Sequence, residues 1–307
     1  MTDWPRLDYL AERGTYEAMH MALQLIGKLP TRLLPWENHG WHVALRVTPR
    51  GFVTRSVPGG GRHFIAELDV PDAVIRIACD EGSTHDVPVA GRTVSAIHTD
   101  LRIALEEMGL PAPLWGGPNE MPDPMPFAAD DRPREWDGDA ALRLHRAFVL
   151  AAGVLDRFRA RYRGKCSPVH LFWGSFDLAV TRFSGRPAPV HPGGIPHLPD
   201  VVTREAYSHE VISAGFWPGG NGVDEAAFYA YAYPTPPGLA GSRIGPAGAG
   251  WNAALGEFVL PYEAARTAEA PDEAVLRFLD STWRAAAALL DWPRDQETGE
   301  ATGHPPD

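Results

Sequence analysis

Lys165-Cys-Ser-Pro-Val-His170-Leu-Phe-Trp173-Gly-Ser-Phe-Asp177-Leu-Ala-Val-Thr-Arg182-Phe-Ser-Gly-Arg186 reads as a buried strand, yet it holds a Lys, a His, a Trp, an Asp and two Arg. Tyr207-Ser-His209-Glu210-Val-Ile-Ser-Ala-Gly-Phe-Trp217-Pro-Gly-Gly continues the theme with His and Glu. Unpaired polar groups are costly to bury, so strands this rich in them call for a pocket or for internal partners. Strand alternation puts Asp177, Ala179 and Thr181 on one face and Leu178, Val180 and Arg182 on the other. An Arg among Leu and Val either anchors an anionic ligand group or pairs with a buried acid such as Glu210 or Asp177.

Outward from this stretch, the chain looks duplicated. A helix over 15–28 is followed by short strand-like runs at 41–48, 51–56, 62–69, 74–79 and 85–89. A helix capped by Thr93 then carries Ile97, Leu101, Leu105 and Met108 on one face. The second half repeats the order: a long helix capped by Asp137, strands over 169–183, 207–216, 226–233 and 256–261, and a helix capped by Asp272. Gly27-Lys28 matches Gly164-Lys165, Ala44-Leu-Arg-Val-Thr48 matches Asp177-Leu-Ala-Val-Thr181, and Arg62-His63 matches Ser208-His209. The expectation is an α+β fold of two similar helix–antiparallel sheet–helix halves, over 1–125 and 126–293, related by pseudo-two-fold symmetry. A polar, disordered tail over 294–307 follows. A pocket would lie between the halves.

Composition narrows the function. A formal net charge of −11 with no Lys/Arg run argues against nucleic acid and anionic membrane surfaces as partners. No apolar stretch approaches the roughly 20 residues of a membrane span, and no signal peptide opens the chain. Cys79 and Cys166, distant and unaccompanied, fit reduced thiols in the cytoplasm. Ten Trp, eight Tyr and twelve Phe leave ample material for aromatic walls.

Histidines are the first candidates for chemistry. His39, His42 and His63 in the first half and His170 and His209 in the second occur at matching places, with Glu210 beside His209. If they converge, they would suit Zn or non-haem Fe as metal ligands; otherwise they are partnered structural histidines. Lys28 and Lys165 fall at helix C-termini, where the dipole favours a cation. Cys166 before His170 lacks the geometry of a nucleophile pair, because Pro168 extends the path between them. In Phe228-Tyr-Ala-Tyr-Ala-Tyr233 the three Tyr share one face, as a pocket wall or as a half-buried sheet face.

The motifs Ser167-Pro-Val-His-Leu-Phe-Trp-Gly-Ser-Phe-Asp-Leu and Ser208-His-Glu-Val-Ile-Ser-Ala-Gly-Phe-Trp-Pro-Gly, with Phe228-Tyr-Ala-Tyr-Ala-Tyr-Pro234 and Asn38-His-Gly-Trp-His42, resemble an uncharacterised bacterial family of domains of unknown function. The resemblance implies one full-length module and assigns no catalytic residue or cofactor. Gly40-Trp41 stands where that family has an aromatic pair. The resulting expectation is a cytoplasmic enzyme acting on a small anionic molecule. His170, His209, Glu210 and Asp177 would do the acid–base or metal work, Arg182 would hold the anion, and Trp173, Trp217 and Tyr231 would form walls. The alternatives are a non-catalytic small-molecule-binding or sensor protein, and a structural partner protein with no pocket.

Overall fold

A computed structural model describes residues 3–121, 123–220 and 223–293. The expected tail over 294–307 lies outside them. The chain opens with helix α1 (Tyr9–Leu33), capped by the Asp8 carboxylate accepting from the Ala11 amide. This helix is longer at both ends than its sequence suggests. Gly27 and Pro30 look like a stop, but Pro30 sits in the final turn and Met19, Leu23, Ile26 and Leu29 are completely buried. Packing outweighs the local propensity.

The first antiparallel sheet contains β1 (Arg46–Val47), β2 (Gly51–Val53), β3 (Val57–Gly59), β4 (Arg62–Asp69), β5 (Val74–Cys79) and β6 (Thr84–Pro88) in the order β1-β2-β4-β5-β6, with β3 beside β4. Its inner face, including Phe64, Ala66, Leu68, Ile75 and Ile77, is buried. Helix α2 (Val94–Glu107) closes this half and is capped by Thr93, as its sequence predicts.

Helix α3 (Gly138–Ala160), capped by Asp137, leads into the second half. There β7 (His170–Phe172), β8 (Asp177–Pro187), β9 (His209–Trp217), β10 (Ala227–Tyr233), β11 (Gly250–Asn252) and β12 (Glu257–Pro261) form an antiparallel sheet ordered β11-β12-β10-β9-β8-β7. Helix α4 (Asp200–Ala206) interrupts it between β8 and β9, and α5 (Tyr262–Arg266) and α6 (Pro271–Leu289) follow. Asp272 is not the cap of α6: Ala270 holds that place, Pro271 begins the helix, and Asp272 instead accepts from Trp4 Nε1 at 2.8 Å.

The α+β class with two antiparallel sheets stands, but the pseudo-two-fold relation is not established. Gly27-Lys28 lies inside α1 whereas Gly164-Lys165 follows the end of α3. The two-residue edge strand β1 matches part of β8, an eleven-residue interior strand. The halves share one buried cluster running from Trp4 to Trp292. They are stitched together where the Leu45 and Leu171 backbones exchange hydrogen bonds of 2.9 and 2.8 Å. The second sheet buries Leu178, Val180, Phe216, Phe228 and Leu260 on one face, where α3 and α6 cover it. Its opposite face is the floor of a cavity.

Candidate functional site

The alternation that sends Leu178 and Val180 into the core sends Asp177, Ala179, Thr181 and Phe183 into the cavity. Ser213 and Trp217 on β9, Tyr229 and Tyr231 on β10, and Glu257 and Val259 on β12 extend this floor. The end of α1, with Lys28 and Arg32, and the segments at 36–43 and 119–120 make one wall. The stretch from Ile195 through α4 to Tyr207 makes the cover. The cavity is partly open and has a volume of about 700 Å³.

Four carboxylates line this space: Glu225, which is exposed, and three partly buried ones, Asp177, Glu120 and Glu257. Asp177 accepts hydrogen bonds from the Ser175 and Tyr229 hydroxyls. Gly215 makes the second bond feasible, because a Cβ there would strike the Tyr229 hydroxyl and the Leu178 carbonyl. Burial still pushes the Asp177 carboxyl above its ordinary range. Glu120 and Glu257 are each raised to about 7, by burial first and then by the nearby Asp177 charge. Among the described residues neither has a basic partner. Around them the Tyr207 and Tyr231 hydroxyls meet at 2.8 Å, and Thr181 and Ser213 hydroxyls at 2.9 Å.

Glu120 is held by an uncommon local structure. Its backbone lies in the left-handed region at φ 57°, which a non-glycine residue adopts only where its surroundings fix it. Gln24 of α1 supplies that fixing. Its side chain accepts from the Asn119 amide at 2.9 Å and donates to the Asn119 and Gly174 carbonyls at 2.9 and 3.1 Å. Glu120 Oε1 rests where a Cβ on residue 174 would be, so Gly174 makes room for the carboxylate. Asn119 also receives the Lys28 ammonium on Oδ1 and donates to the His197 carbonyl at 2.7 Å, tying α1 to the cover.

Of the residues singled out from sequence, His39, His42, Asp177, Trp173, Trp217 and Tyr231 line the cavity. Trp173 is fixed there: its ring fills the space beside Gly27, and its Nε1 donates to the Val43 carbonyl at 3.0 Å. Arg182 is not in the cavity. It is 1% exposed on the core side of the sheet, with its guanidinium 3.5 Å from the Phe158 ring centre and 5.0 Å from those of Tyr162 and Trp283. That position corrects its expected role as anion anchor. Glu210 also lies elsewhere, accepting from Ser184 at 2.8 Å, Arg186 at 2.9 Å and Trp292 at 3.1 Å.

The histidines do not converge. His170 is 3% exposed and donates through Nδ1 to the Pro168 carbonyl at 2.6 Å. Burial lowers its pKa to about 4. His42 lines the cavity, with its ring tilted against Trp36 at 4.9 Å. His39 also lines the cavity and lies 5.9 Å, ring to ring, from His209, but its nitrogens already face the Ala206 carbonyl at 3.2 Å and the Lys165 ammonium at 2.6 Å. Among the described residues no group of three or more His, Cys, Asp or Glu side chains could hold a metal ion. The expectation of a Zn or Fe cluster at His39, His42, His170 and His209 therefore finds no support in their placement.

Sequence reasoning passed over Glu120 and Glu257. Glu257 carried a faint signal as an acid in phase with Val259 on a strand. Glu120, in a Pro/Gly-rich loop, carried none. No described helix is long and apolar enough to cross a membrane. A family model described as a family of unknown function (DUF5996) matches residues 4–298. No curated protein and no solved structure matches the chain.

Proposed function

The chain belongs to the family of unknown function DUF5996, and we propose that its working part is the cavity over the second sheet, which binds a small organic molecule. One observation carries this reading. A partly open cavity of about 700 Å³, walled by Trp, Tyr and Phe side chains with a few polar groups turned into it, has the size and lining of small-molecule sites. A core built only for stability would fill such a volume, because interiors are close-packed.

A second reading is that the site also performs proton transfer. Carboxyl groups held near 7 are matched to acid–base work at neutral pH, and Glu120 and Glu257 are both of this kind. In that case they replace His170, His209 and Glu210 as the acid–base groups, since these histidines and Glu210 are not among the cavity-lining residues.

The binding reading is tested by extracting small molecules from the purified, denatured protein for mass spectrometry, alongside a thermal-shift screen of a metabolite library. A ligand at 100 times its Kd should stabilise the fold by about 2.7 kcal/mol. Val259→Trp, which fills the cavity, should remove that shift. An empty extract with no shift in the screen would overturn the reading. Turnover that is lost in Glu120→Gln while binding persists would establish the enzyme.

A further inference from the structure

The cavity treats its two signs of charge differently. Its cations are already engaged. The Lys28 ammonium is bonded to Asn119 and lies 4.9 Å from the Trp173 ring centre and 5.6 Å from that of Phe127. Arg32 stacks on Trp115 at 4.2 Å and donates to its carbonyl at 3.3 Å. Its acids are not engaged in this way. Asp177 accepts from two hydroxyls and its own backbone amide, and among the described residues none of Asp177, Glu120 and Glu257 has a cationic partner. Buried carboxylates without a counter-charge are expensive to keep ionised.

A second observation points to an occupant. Thr203, on the cavity face of α4, is 1% exposed, and its hydroxyl has no hydrogen-bond partner. Helical Thr usually returns its hydroxyl to the backbone one turn earlier. Here the hydroxyl belongs to α4, part of the cover of the cavity. Tyr229 and Tyr231 stack at 6.2 Å between them, giving the aromatic faces that favour organic cations.

We infer that the ligand is an organic cation, an amine on an apolar or aromatic body, whose ammonium group sits among Glu120, Asp177 and Glu257. This rests on the reading of the cavity as a ligand site. The apolar body would lie toward Trp173, Phe183 and Trp217. Burial holds the three carboxyls above their ordinary range, the Asp177 charge adds to it for Glu120 and Glu257, and an ammonium group would relieve both.

Three probes with one indole body separate the outcomes: tryptamine, its neutral alcohol tryptophol, and indole-3-acetate. Binding is measured by titration calorimetry at about pH 8, where amine and acids are charged. Tryptamine should bind at least roughly tenfold tighter than tryptophol, with indole-3-acetate weakest. Glu120→Gln and Glu257→Gln, each checked for an intact melting transition, should remove most of that preference and leave tryptophol binding unchanged. Equal binding of tryptamine and tryptophol, or a preference for indole-3-acetate, would overturn the cation while leaving the cavity a ligand site. Binding of none of the three would overturn the cation on an aromatic body, and with an empty extract and no shift in the screen it would overturn the ligand site as well.

Discussion

Glu257 carries a cost that depends on pH. Its folded carboxyl is raised to about 7 from an ordinary 4.5. Between those values the folded chain keeps a proton that the unfolded chain has lost. Stability from this group is therefore full at low pH, declines as pH rises through the interval, and is lost above about 7. Glu257→Gln should thus raise the melting temperature near pH 8, by on the order of 2 kcal/mol in stability, and leave it nearly unchanged near pH 4.5. A lower melting temperature at both pH values would show the ionised carboxylate to be well satisfied. Arg182 makes the opposite case. Its guanidinium stacks on Phe158 and donates to the Phe158 carbonyl. Arg182→Ala should therefore cost on the order of 3 kcal/mol by denaturant titration, with probe affinity in the folded protein unaltered. Reduced affinity at unchanged stability would return Arg182 to the site. Strand parity correctly places Arg182 opposite Asp177. What receives it, an aromatic set from α3 and α6, is a contact between distant parts of the chain that spacing does not reveal. Glu120 escapes notice for the same reason: nothing local distinguishes it until Gln24 and Gly174 are folded against it.

Elements with a strong period are legible, and those that cross or cover are not. Thr93 and Asp137 cap helices because a short oxygen-bearing side chain before an apolar periodic run has one good use there. Helix α4 and the Pro/Gly-rich stretch before it give no such pattern, and β12 enters between β10 and β11 instead of continuing the chain order. The cover nevertheless has a definable anchor. Asn119 Nδ2 donates to the His197 carbonyl while Oδ1 holds Lys28. Asn119→Ala should loosen the segment around His197 without unfolding the protein, although it also takes the acceptor from the buried Lys28 ammonium, at a cost of about 1–2 kcal/mol. Limited proteolysis well below the melting transition should then cut that segment several-fold faster. Equal cleavage rates would mean that Leu198, Val202 and their apolar neighbours hold the cover unaided.

At the scale of the whole molecule, a boundary near residue 125 is attractive in sequence because helix, strands and helix appear twice. The buried contacts run across it. Helix α1 packs on the first sheet and also against α3. Trp173 of the second half fills the space beside Gly27 of the first, and the Leu45 and Leu171 backbones pair directly. The N-terminal segment reaches furthest: Trp4 lies 5.8 Å from the ring centres of both Phe228 and Tyr262, while the Tyr262 hydroxyl donates to the Pro5 carbonyl at 2.7 Å. A second half expressed alone from Pro126 would expose the faces of α3 and Trp173 that these groups cover, and would lose the α1 wall of the cavity. Burial of several large side chains is worth roughly 1.5–3 kcal/mol each, comparable in sum to the 5–15 kcal/mol stability of an entire domain. The fragment should therefore show no cooperative thermal transition. The intact chain should unfold in one step, with far-ultraviolet circular dichroism and tryptophan fluorescence changing together. A sharp transition in the fragment would mean that the second sheet with α3 and α6 folds on its own. The cavity would then be an interface between two domains, and its volume would depend on how they dock.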